Sequence, residues 1–268
     1  MEITEELKKF ACENSPSKLF GKLERKGLST KKTHVENVEK IGLSLLEHQN
    51  DDAINRKLLS ICLLLHDIGR AAQYDLLGEY DDVKIDHQVL AAKQIFDFLG
   101  QIASSKPDFQ IGDDWKVVLD VCMLHGHRNL WAMANEISLP YLQIVADADA
   151  IENGCISAPS YLEKEKDNDA KGFIRRNPGL DQRICQSTLI EYMDQGYVFN
   201  KYELCRTYAD YFVFAGTLAV SSCNKYGDVA KETMKVSGSL DEYRRIFERH
   251  LLSEDNIRVQ EILSRRCV

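Results

Sequence analysis

The run Leu-Leu-Ser-Ile-Cys-Leu-Leu-Leu-His-Asp-Ile-Gly-Arg, residues 58–70, constrains this chain more than any other stretch. Leu58 to Leu65 is almost wholly apolar and predicts a helix buried on most sides. That helix runs straight into His66 and Asp67. A carboxylate carried into a core needs compensation, either an ion pair or a metal. Arg70 lies close enough in sequence to supply the ion pair. Gly69 offers a place for the chain to turn out of the helix.

Helical spacing dominates elsewhere, prolines are scarce, and no run alternates in the manner of a strand, so the expected fold is all-α. A short amphipathic helix is expected over 4–14. A second, over 33–48, has Val35, Val38, Ile41, Leu45 and Leu46 on one face and His34 on its first turn. The buried helix takes 56–68. Residues 70–86 are polar and acidic and read as a long surface loop. A helix over 86–99 opens with Asp86 and His87, and 101–113 reads as loop. In the helix over 114–125, Val118, Val121, Cys122 and His125 fall at i, i+3, i+4 and i+7, so His125 faces inward. A further helix carries Asp147 and Asp149 and stops at Gly154. The domain reading is a helical core with its N-terminal helix over 1–155 and a helical extension over 156–268. Within the extension, 160–182 reads as a surface excursion, 183–226 as two helices rich in Tyr and Phe, and 240–266 as one or two more.

Charge and cysteine usage exclude several function classes. The formal net charge is -8 with no long basic run, so a general grip on a nucleic-acid polymer is not expected. A small anionic ligand in a local cationic pocket remains compatible. The apolar stretches fall short of the ~20 residues that span a bilayer, and the start of the chain has no apolar signal core. The eight cysteines include no Cys-x-x-Cys pair. Cys62, Cys122, Cys205 and Cys223 sit in apolar surroundings as core residues, and a reducing, cytoplasmic compartment is expected.

The polar residues at helix ends or on inward faces are His34, His66, Asp67, His87, His125 and one of Asp147 or Asp149. Imidazole nitrogens and carboxylate oxygens are the usual ligands of Mn, Fe, Co, Ni and Zn. Singly, each histidine is equally well a core residue bonded to a backbone carbonyl. Helical periodicity does not separate Asp147 from Asp149. His127 competes with His125, which is favoured by its place on the apolar stripe.

His34, the apolar run into His-Asp-Ile-Gly-Arg, and the later Ile-Val-Ala-Asp-Ala-Asp-Ala-Ile-Glu-Asn-Gly together resemble the HD superfamily of metal-dependent phosphohydrolases. The resemblance spans about residues 30–155. It implies an all-α core of about five helices and a metal held by His34, His66, Asp67 and an Asp of the last core helix. The family pattern has an apolar residue two places after that Asp, which fits Asp149 followed by Ile151 and leaves Asp147 as a supporting partner. Members with two metals are similar in the order His, His-Asp, His, His, Asp, so His87 and His125 either hold a second ion bridged by Asp67 or contact substrate. Arg70 stands where some relatives carry Lys and is the expected phosphate partner, with Arg128 a weaker one. Asp67, Arg70, His87 and His125 are thus the expected catalytic residues. The activity implied is hydrolysis of a small phosphate ester, a nucleotide or related metabolite, with one or two divalent transition ions. The alternatives are a di-iron oxygenase of the same type and a non-catalytic nucleotide-binding regulatory module.

Overall fold

A computed structural model of the protein describes residues 2–20, 28–49, 53–78, 84–158, 186–198 and 204–268. Those residues are helical with no strand among them, so the fold is all-α. None of their helices is long and apolar enough to cross a membrane. The chain divides into two compact units, Met1–Asp149 and Ala150–Val268.

The first unit is built around α4 (Arg56–Leu65). Asn55 starts it, its side chain accepting from the Lys57 and Leu58 amides and so filling two of the four donors a helix start leaves open. Leu58, Leu59, Cys62, Leu63 and Leu65 are fully buried. Two helices cover them: α3 (Leu28–Gln49), with Val35, Val38 and Ile41 inward, and α7 (Asp113–Leu124), with Val117, Val118 and Val121 inward. The short N-terminal helix α1 (Glu5–Glu13) is fastened by Asp114, whose Oδ2 accepts from Thr4 N at 2.9 Å and Thr4 Oγ1 at 2.8 Å. Phe10 completes the attachment by packing on Phe98 and Trp115. One helical turn, α2 (Pro16–Leu19), precedes α3.

Two stretches differ from the sequence expectation. Residues 70–86 are not one long loop, because α5 (Gly69–Leu77) occupies most of the described part of that stretch. Arg70, Ala71, Ala72, Gln73 and Leu76 are good helix formers, and polarity on an outward face had the look of a loop. Gly78 ends the helix at φ 71°, a left-handed cap. The helix expected over 86–99, α6 (His87–Ser105), continues to Ser105 because Leu99 and Ile102 extend its buried stripe.

Gly69 has a different use from the one expected. It does not turn the chain away but opens α5, and a Cβ there would lie 1.9 Å from the His87 carbonyl oxygen. The missing side chain lets α5 and the first turn of α6 meet backbone to backbone, which sets His87 beside Asp67.

Two short 3₁₀ segments, Arg128–Met133 and Glu136–Ser138, lead into α8 (Leu139–Glu152), and the boundary between the units falls inside this helix. In the second unit a π turn (Asn153–Ser157) is followed by α9 (Ser187–Gln195), α10 (Tyr208–Ser237), α11 (Ser239–His250) and α12 (Ser253–Cys267). The long α10 is the hub, kinked at Gly227, with the π turn, α9, α11 and α12 against it. Tyr243 is fully buried, with its hydroxyl 2.8 Å from Gly154 O and 2.9 Å from Ala215 O. The excursion expected over 160–182 lies outside the described residues.

Two glycines separate close approach from mere helix weakening. Gly69→Ala is expected to cost about 3 kcal/mol or more, since backbone has to yield. Gly100→Ala, in the exposed middle of α6 with nothing within 4 Å of the new Cβ, is expected to gain roughly 0.5–1 kcal/mol. Urea unfolding midpoints of the two variants check the contrast.

Candidate metal centre

Six side chains from five segments converge inside the first unit. The buried face of α4 delivers His66 at its C-cap and Asp67 one residue later, at 0 % and 3 % exposure. His34 comes from the inward side of α3, His87 opens α6, His125 caps the end of α7, and Asp149 comes from α8. His34, His87 and His125 are buried and Asp149 is partly open.

Asp67 divides its two oxygens. Oδ2 lies 2.7 Å from Lys31 Nζ, 3.5 Å from His34 Nε2 and 3.7 Å from His66 Nε2. Oδ1 lies 3.2 Å from His87 Nε2 and 3.5 Å from Arg70 Nε. Asp149 Oδ1 stands 3.2 Å from His34 Nε2 and 3.8 Å from His66 Nε2. The imidazole rings follow one another, His34 to His66 at 5.6 Å, His66 to His125 at 5.1 Å and His125 to His87 at 5.5 Å between centroids.

The tautomers decide what this arrangement can bind. His66 Nδ1 lies 2.7 Å from the Leu63 carbonyl. A carbonyl only accepts, so Nδ1 carries the proton and Nε2 presents a lone pair. That lone pair is buried, has no hydrogen-bond partner among the described residues, and faces the oxygens of Asp67 and Asp149. Acceptors aimed at one another are reconciled by a cation between them. His125 is set the same way, with Nδ1 at 3.1 Å from Val121 O. Two groups of donor atoms, His34–His66–Asp149 and His66–Asp67–His125, each lie within 4.8 Å of one another. Nitrogen and carboxylate donors of this kind fit a borderline divalent ion, and a backbone carbonyl behind each ligating imidazole is the usual support. The residues present therefore fit a metal.

Protonation agrees with that fit. Burial would raise the Asp67 carboxyl, yet Lys31, His66, His34 and His87 together hold it well below the usual range. Asp149 is likewise held far down against its burial, chiefly through His34 and then His66. Burial lowers His66. Burial, with His66 and His87 nearby, takes His125 down to about 3, so this imidazole is neutral at physiological pH.

The other candidates lie apart. Asp147 is buried but accepts from Gln143 Nε2, its neighbour on α8, and is in neither donor group. His127 Nε2 is 2.8 Å from Asp86 Oδ2, the carboxylate that caps α6. Arg70 Nη1 donates to Gln73 Oε1 at 2.9 Å while its Nε faces Asp67. The side chain of Arg128 lies outside the described residues. Sequence reasoning missed Lys31. Its signal was its place one turn before His34, which puts both side chains on one face of α3.

Residues 32–154 match the family model for the HD domain. This segment is an HD domain. It runs from α3 to the end of α8 and contains all six converging residues, whereas Lys31 lies one residue before it. No curated protein and no solved structure matched the chain.

Metal content of purified variants tests the ligand set. Asp67→Ala and Asp149→Ala are expected to lose bound metal, and Asp147→Ala to keep it. His87→Ala is expected to lose about half the metal of a two-ion centre, and none of a one-ion centre, because Asp67 and His125 alone are too few ligands for the second ion. Mass-spectrometric metal stoichiometry distinguishes these outcomes.

Proposed function

We propose that the protein is a metal-dependent phosphohydrolase acting on a small phosphate ester, a nucleotide or related metabolite. One observation carries this reading: Asp67 is flanked by a cation on each oxygen, Lys31 at 2.7 Å and Arg70 at 3.5 Å, beside imidazole and carboxylate donors that fit a divalent ion. An anionic group entering there meets positive charge on both sides.

The cofactor of this reading is one or two ions of Mn, Fe, Co, Ni or Zn, held by His34, His66, Asp67 and Asp149, with His87 and His125 for a second ion. When bound, such an ion supplies a Lewis acid for a phosphoryl oxygen and lowers the pKa of the attacking water. The chain's own residues do the rest. Arg70 offers a planar fork suited to two phosphoryl oxygens. Lys31 offers a point charge from the opposite side of Asp67. Asp67 orients the attacking water, and its low pKa keeps it an acceptor throughout the neutral range. His87, if it holds no ion, donates to the phosphoryl group as charge develops.

A second reading has one observation in its favour. Beside the group of His34, His66 and Asp149, the buried Asp67, His87 and His125 offer donors for a second ion, which suits a di-iron oxygenase as well as a hydrolase. The cationic pair around Asp67 favours hydrolysis.

Phosphate release from a panel of nucleotides and sugar phosphates, run alongside oxygen consumption, tests the proposal. Release without oxygen uptake is expected. Arg70→Met and Lys31→Met are each expected to lower kcat/KM by roughly ten- to a hundredfold, the worth of one charge-assisted hydrogen bond. Oxygen uptake with two irons and no phosphate release would establish the second reading instead.

A further inference from the structure

Asp67 Oδ2 faces positive charge of two kinds. It stands 3.5 Å from His34 Nε2 and 3.7 Å from His66 Nε2, so it is the Asp67 oxygen turned toward an ion held by those imidazoles. The same atom is 2.7 Å from Lys31 Nζ. The ammonium therefore sits on a ligand atom of the centre. Little water screens the contact, because the Lys31 and Asp67 side chains are 20 % and 4 % exposed.

An ionised carboxylate oxygen has room for two partners, so Oδ2 can accept from Lys31 and bind an ion together. Sharing one negative charge between two cations leaves them repelling each other. For partly buried charges a few ångströms apart, that repulsion is worth about tenfold or more in affinity. An anion in contact with both cations removes it, and a phosphate has enough oxygens to meet both at once.

Lys31 is the cation placed to make this exchange. Arg70, on Asp67 Oδ1, is also bound through Nη1 to Gln73 Oε1 at 2.9 Å. Lys31 rises from the opening turn of α3 and carries its charge on a flexible four-carbon stem. Turning that stem from Asp67 to a phosphate frees Oδ2 for the ion and keeps the ammonium paired.

We propose that Lys31 links the two ligands of the centre: it opposes a divalent ion while it rests on Asp67, and ceases to oppose it once it pairs with a bound phosphate. The inference rests on the metal-dependent phosphohydrolase reading and adds regulation to it, since the centre holds its ion loosely until a phosphate arrives. The link is reciprocal. Whatever factor phosphate adds to the affinity for the ion, the ion adds to the affinity for phosphate. Removing the Lys31 charge therefore has opposite effects on the two ligands, tightening the ion and weakening phosphate. A lysine that only supported the fold, or only held Asp67 in place, would weaken both when removed.

Equilibrium dialysis of the full-length protein against divalent manganese, with and without inorganic phosphate, tests the proposal. In the wild type, phosphate is expected to tighten manganese binding by about tenfold, and manganese to tighten phosphate binding by the same factor. Lys31→Met is expected to bind manganese alone about tenfold more tightly than the wild type, with phosphate changing that affinity by no more than about twofold. Lys31→Gln is expected to behave likewise and serves if the Met variant does not fold. Lys31→Arg keeps the charge and is expected to keep the coupling. Manganese binding by the Met and Gln variants that is no tighter than that of the wild type overturns the proposal. So does coupling in them as strong as in the wild type, or its absence from the wild type. Any of these results alongside phosphate-ester hydrolysis by the wild type sinks this inference and leaves the hydrolase reading standing. A wild type that binds no divalent ion sinks both.

Discussion

Asp67 is an ionised carboxylate at 3 % exposure, delivered to that depth by a helix of leucines. Moving such a charge out of water costs several kcal/mol unless it is met by partners. The first unit is arranged to meet it. Lys31, His34, His66, His87 and Arg70 reach it from four helices or their ends; α3, α4 and α6 each bury an apolar stripe that fixes their approach, and α5 is set by the backbone contact at Gly69. The hydrophobic core and the polar centre are therefore one construction: burial of α4 creates the electrostatic demand, and packing of α3, α5 and α6 satisfies it.

The histidines show how local backbone prepares a ligand. His66 and His125 both end a helix, and both give their Nδ1 proton to a carbonyl of the helix they end. Their Nε2 lone pairs are consequently set by the last turn of α4 and of α7, before any partner arrives. A helix end normally leaves carbonyls without donors. Here the Leu63 and Val121 carbonyls fix a tautomer, the Val121 oxygen accepting the His125 amide as well, so the geometry that ends each helix also orients the imidazole it carries.

Much of this was legible in the sequence, for physical reasons that differ by residue. His125 was readable because i, i+3, i+4 and i+7 spacing determines facing. His66 and Asp67 were readable because charge seldom follows an almost wholly apolar run. Asp149 and Asp147 could not be separated by periodicity, since both flank the apolar side of α8; only the resemblance to HD proteins favoured Asp149, which the structure sets beside His34 while Asp147 turns to Gln143. Lys31 is not legible, because the spacing puts the helix start at 33, beyond it, and its partner lies 36 residues away in sequence. The helix over 69–77 is not legible because outward polarity carries no period of its own, and the contact at Gly69 depends on a backbone approach that side-chain pattern does not encode.

That contact has a bearing on which parts of the chain can vary. His87 is located by main chain meeting main chain at Gly69, reinforced where Gln73 Nε2 bonds to Ile85 O at 2.6 Å. Position 69 therefore varies no more freely than the histidine itself: any side chain there displaces His87 while leaving every residue of the centre in the sequence.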